Sequence, residues 1–195
     1  LRRALVPRVQ NPTGSYSSVA LERASAYPVM IHAEIEAYFE DVISEIAESA
    51  ISAWLKRGRV SRPLLAIVSH REDSSPVGFP EDIFNMNNSR KLETVIMRCY
   101  SQWKGRLGNN HGIRSPDLAR LFLSVGFVPP ASDQTVMNSL DGFGSRRGEL
   151  AHTSPTTKPR QQVDPITEAN EIDQLLSAII TIDASISSYR NRCRI

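Results

Sequence analysis

A chain of 195 residues that is 41% hydrophobic and 23% charged carries enough apolar material for one core of ordinary size, which excludes the disordered and fibrous classes. Its formal net charge of +2 is too small to identify a partner by itself. No apolar run approaches the ~18–20 residues of a membrane span, and LRRALVPRVQNPTG at the start has basic residues but no apolar secretion segment, so a cytoplasmic protein with no membrane partner is expected.

Residues 1–15 read as a basic N-terminal arm, with Arg2, Arg3 and Arg8, and 16–195 as a single helical domain. A short helix is expected around Ser17 to Ala26. From Pro28, suited to a first helical turn, Ile31, Ile35, Tyr38, Phe39, Val42, Ile43, Ile46, Ala50 and Trp54 recur at three and four and predict one long amphipathic helix to about Lys56. Its exposed side is acidic from Glu34 to Glu48, and the basic Lys56, Arg57, Arg59 and Arg62 follow at once. Such basic clusters, with Arg146 and Arg147 and with Arg190, Arg192 and Arg194, suit phosphate contacts; solvated helix faces and chain ends also explain each of them separately.

RPLLAIVSH is a short apolar run whose Pro63 and setting favour helix over strand, and SSPVGFPEDIFNMNNS reads as a long loop. Leu92, Val95, Ile96, Cys99, Tyr100 and Trp103 then mark a second clear helical stripe, stopped by GNNHG. RSPDLARLFLSVGF offers Ser115 as N-cap, Pro116 at the first helical position and Gly126 as the stop. PPASDQTVMNSLDGFG predicts a further short helix, with the glycines of DGFGSRRG serving as turn residues. Asp164 caps and Pro165 begins a last long helix, whose stripe is Ile166, Ile172, Leu175, Ile179, Ile182, Ile186 and Tyr189. The expected fold is all-α, a bundle of two long helices with shorter helices between.

Two cysteines, Cys99 and Cys193, are too few for a disulfide framework, and Cys99 reads as a buried thiol. His32 and Glu36 stand four apart and suggest a hydrogen-bonded or salt-bridged histidine on a helix face more than a metal site, since no third ligand is evident. No glycine-rich phosphate loop or zinc signature is present, so neither metal nor cofactor is expected.

His152 differs because of its neighbours in SRRGELAHT. Cutting RNA without a metal needs a base for the ribose 2′-hydroxyl, an acid for the leaving 5′-oxygen and cations on the phosphorane. Histidine titrates near neutrality and arginine grips phosphate with two hydrogen bonds, so this segment holds both chemistries. On a helix turning ~100° per residue, positions 147 and 152 lie roughly 140° apart, and one copy cannot focus both groups on one phosphate. Two copies about a twofold axis bring two arginines and two histidines to a shared cleft and supply the separate acid and base groups that one chain lacks, which predicts a homodimer.

RRGELAHT resembles the R-x4-6-H motif of HEPN domains. VMIHAEIEAYFEDVISE, NNHGIRSPDLARLFLSVGF and the terminal helix resemble, in order and spacing, the RiboL-PSP-HEPN branch, over about Met30 to Tyr189. The resemblance implies an HEPN-like bundle and a metal-independent endoribonuclease with a composite site across the dimer, with Arg147 and His152 catalytic. Arg146 is then a six-residue-spaced alternative or an added phosphate contact, and Lys56, Arg57 and Arg59 contribute to binding RNA. The family usually carries a polar residue, often Asn, where this chain has Gly148. The resemblance further implies a toxin or anti-phage effector acting on tRNA or other cellular RNA, with an antitoxin or defence-system partner. A catalytically silent HEPN module for dimerisation or RNA binding is the second reading.

Overall fold

The computed structural model describes residues 1–11, 13–69, 88–110, 112–152 and 164–193, of which 88–91 and 147–152 by backbone alone. Among them the chain is all-α, with no strand. The helices are α1 (Arg2–Leu5), α2 (Ser18–Arg57), α3 (Arg62–Ser69), α4 (Asn88–Leu107), α5 (Ser115–Leu123), α6 (Gln134–His152, preceded by a 3-10 turn at Ala131–Asp133) and α7 (Pro165–Cys193). Two long helices, α2 and α7, bracket shorter ones, as the stripes predict. None of the described helices is long and apolar enough to cross a membrane.

Two departures from the sequence reading have local causes. The short helix at Ser17 to Ala26 and the long one from Pro28 are a single helix, with Pro28 in its interior. A proline removes one helical hydrogen bond. Here Ala24 and Tyr27 before it and Ile31 and Ile35 after it are all buried, so both segments share one anchored face. Likewise DGFGSRRG is not a turn: α6 runs through it to His152, and neither Gly142 nor Gly144 has a positive φ. A Cβ at Gly144 would lie 3.0 Å from Arg114 Cγ and 3.4 Å from Ile113 Cγ1, so this glycine admits a close approach of the segment before α5.

The contacts gather into two compact units, the first made of Leu1–Tyr38, Gly112–Pro116 and Pro129–Ser185, the second of Phe39–His111, Asp117–Val128 and Ile186–Ile195. In the first, α2 and α7 run parallel: Tyr27 feels the charge of Asp173, and further along Tyr38 donates its hydroxyl proton to Asp183. Met137, Leu140 and Phe143 of α6 and Ile172, Leu175, Ile179 and Ile182 of α7 are buried. Burial and the Asp183 carboxylate both push the Tyr38 hydroxyl well above the ordinary phenol range. The N-terminal arm is fastened here. Arg2 donates to the Ala169 carbonyl (3.3 Å) and the Asn170 amide oxygen (2.7 Å) and pairs with Asp173, while the Tyr16 hydroxyl donates to Asp164 (2.8 Å).

In the second unit an aromatic chain runs through the core, Phe39 to Phe122 (5.4 Å between centroids), Phe122 to Phe127 (5.3 Å) and Phe127 to Tyr189 (5.4 Å). The buried Trp103 indole donates to Ser124 Oγ (3.0 Å), and the Tyr189 hydroxyl to the Val125 carbonyl (2.7 Å), so the polar ends of both rings are satisfied. Ala50, Ile51, Leu64 and Ile96 form a further cluster joining α2, α3 and α4. Gly126 stops α5 as expected. At φ +74° it lets Phe127 N–H reach the Phe122 carbonyl (3.0 Å) and its own N–H reach that of Leu123 (2.9 Å), a Schellman closure sealed by the Phe122–Phe127 contact. Cys99 is buried, and both cysteines are free.

Candidate functional site

The candidate site is built on the last turns of α6 and the first half of α7, both in the first unit. Asp164 fixes where α7 starts. Its Oδ1 accepts the backbone N–H groups of Ile166 (3.0 Å) and Thr167 (3.0 Å), and these bonds, with that from Tyr16, hold its carboxyl below the usual range. Asp141 braces α6 by accepting the Ser115 N–H (3.0 Å) and lying 3.7 Å from the Arg114 guanidinium.

Between α6 and α7 lies an open groove of about 380 Å³. Its floor is apolar, with Phe143, Ile172 and Leu175, and its rim carries Ser139, Arg146, Glu171 and Gln174. Arg146 is exposed and places its guanidinium 3.6 Å from the Glu171 carboxylate. Glu168 also senses this pair: burial raises its carboxyl, the Arg146 charge works against that rise, and Glu171 adds to it. Glu168, Glu171 and Gln174 were not singled out in the sequence. Their spacing of three along α7, beside the apolar stripe, marks one polar edge of that helix.

Arg147 and His152 lie on α6, and the helix is unbroken from one to the other, so the two positions are about 140° apart around its axis. Their side chains fall outside the described residues. So do His70, His111 and Arg194.

The remaining basic candidates belong to the second unit. Lys56 and Arg57 are exposed in the last turn of α2, before Gly58 (φ +63°) ends the helix, and Arg59 follows. Arg62 stands over the Tyr189 ring (6.0 Å), whose hydroxyl also feels Arg192. Arg190 pairs with Glu45 (3.1 Å). Arg62, Arg190 and Arg192 thus gather at the C-terminal end of α7. The acidic face of α2 is largely engaged. Glu36 lies 3.6 Å from His32, Glu40 accepts from Asn110 (2.9 Å), Glu45 holds Arg190, and Glu48 meets Lys104 (3.3 Å). His32 is buried with Phe143 nearby (6.2 Å), and its Nδ1 faces Glu36, the pairing that the spacing suggests. Among the described residues no group of three His, Cys, Asp or Glu is placed to hold a metal ion.

No protein-family model, curated protein or solved structure matches this chain.

Proposed function

We propose that the protein is a metal-independent endoribonuclease of the HEPN type, acting as a homodimer with a composite site made of Arg147 and His152 from both protomers. The observation that supports it most is that SRRGELAH ends a continuous helix, α6, beside the groove that Arg146 rims. The reaction needs both a base and an acid, one chain carries a single His152 for the two tasks, and a second copy about a twofold axis supplies the missing proton carrier.

In this reading one His152 takes the proton of the ribose 2′-hydroxyl, and the 2′-oxygen attacks the adjacent phosphorus. The other His152 protonates the 5′-oxygen as the P–O5′ bond breaks. The two Arg147 guanidiniums stabilise the charge that builds on the phosphorane oxygens. The products are a 2′,3′-cyclic phosphate and a 5′-hydroxyl. Lys56, Arg57 and Arg59 contribute to holding the RNA backbone, with a binding constant that falls as salt rises. The HEPN resemblance also carries the proposal of a toxin or defence effector acting on tRNA or other cellular RNA, kept in check by an antitoxin or defence-system partner.

The test is incubation of the purified protein with total RNA in EDTA, followed by analysis of the ends. The proposal predicts cleavage with 2′,3′-cyclic phosphate and 5′-hydroxyl termini, and no cleavage where a 2′-deoxy sugar occupies the cut site. A magnesium requirement or 5′-phosphate termini would overturn the mechanism. RNA binding without any cleavage would instead support the catalytically silent HEPN module.

A further inference from the structure

The α6–α7 groove combines an apolar floor with a polar rim. Its floor is made of the buried side chains of Phe143, Ile172 and Leu175, and a Cβ added at Gly142 meets nothing within 4 Å, so one wall is open space. The volume of about 380 Å³ falls in the range of small-ligand pockets, about 300–1,000 Å³. At the rim the Glu171 carboxylate is held by Arg146 and makes no other hydrogen bond or ion pair among the described residues, and among them the Gln174 amide has no hydrogen-bond partner. A flat apolar ring can rest on the floor while its polar edge meets this rim.

We propose that this groove binds a guanine base of single-stranded RNA, with Glu171 as the specificity-determining residue. A carboxylate is acceptor-only and takes two parallel N–H donors. Among the RNA bases only guanine presents two adjacent donors on its Watson–Crick edge, the ring N1–H and the 2-amino group. Adenine and cytosine each set one amino donor beside an acceptor, and uracil sets one N–H between two acceptors. Next to the N1–H of guanine lies its O6, an acceptor that the Gln174 amide can serve. Arg146 lies 3.6 Å from one oxygen of the Glu171 carboxylate, and both side chains line the groove. Unstacked bases read on this edge are the usual targets of sequence-specific RNA recognition. The inference takes RNA as the ligand class from the proposed function. It adds that cleavage is directed beside guanosine.

The test is titration calorimetry on the full chain with guanosine, inosine and adenosine 3′-monophosphates. Inosine differs from guanosine by the missing 2-amino group alone. Loss of a hydrogen bond to a charged group corresponds to about a tenfold to hundredfold loss of affinity. The guanosine compound should therefore bind at least tenfold tighter than the inosine compound, and the adenosine compound more weakly than either. Glu171→Gln should abolish the difference between guanosine and inosine, because an amide accepts only one of the two donors. Gln174→Leu should weaken both of these and leave their ratio unchanged. Equal affinities for the three nucleotides, no binding by any of them, or a guanosine preference that survives Glu171→Gln would overturn the proposal. Should Glu171→Gln fail to fold, the guanosine-to-inosine ratio of the unmodified protein decides. Binding is scored without cleavage: a protein that discriminates the nucleotides but never cuts RNA keeps the pocket and loses the ribonuclease reading. One that cuts without discrimination loses the pocket alone.

Discussion

Asp164 starts one helix and ties another segment to it. Its carboxylate accepts two N–H groups at the head of α7 and the Tyr16 hydroxyl, and its carboxyl is held below its ordinary value, the Thr167 N–H contributing most. The sign of the linkage follows. A depressed carboxyl stabilises the fold fully above the ordinary Asp range near ~4, and that contribution is lost as pH falls through the folded value. Asp164→Ala should cost about 1 kcal/mol in urea denaturation at neutral pH. The difference from the unmodified protein should shrink on acidification. Gly126 makes a comparable point for backbone: its φ of +74° strains any side chain, and an added Cβ would press at 3.2 Å on Ala66 Cβ, Arg62 Cγ and Tyr189 Oη, which would have to give way. Gly126→Ala should destabilise by about 1–2 kcal/mol or more. Both residues were legible in the sequence because cap and stop signals are local. The Arg146–Glu171 pair was not, because it joins side chains of two helices, and no spacing along one helix shows which faces meet.

At the scale of elements, apolar periodicity located α2, α4, α5 and α7, since each buries one face and the burial selects the pattern. Glycine and proline misled the reading where tertiary packing overrode local preference. Pro28 marked a helix start and lies inside α2, and the glycines of α6 marked a turn and lie within a helix. The long loop expected over SSPVGFPEDIFNMNNS and the connector after His152 lie largely outside the described residues. Gly142 and Gly144 of α6 make an internal comparison. Gly142→Ala adds a methyl group in open space within a helix, and should stabilise by about 0.5–1 kcal/mol. Gly144→Ala meets Arg114 at 3.0 Å and should gain less or lose stability. Thermal denaturation of the two variants side by side measures that close approach; equal gains would show that Arg114 and Ile113 yield freely.

For the whole molecule, the all-α class was fully legible, because no stretch of the sequence pairs a strand pattern with a credible turn. The composite site rests on assembly. The proposed chemistry needs two His152 groups on one phosphate, so light scattering at micromolar protein should give twice the chain mass, and a monomer there would remove the shared site. The most direct test of the central claim is the cleavage rate of His152→Ala against the unmodified protein, on the same RNA in EDTA. The account predicts a loss of about 10²–10⁴ with the dimer and its melting temperature nearly unchanged, as expected for removal of a general acid and base. Full activity in His152→Ala would contradict it and reduce SRRGELAH to the end of a helix.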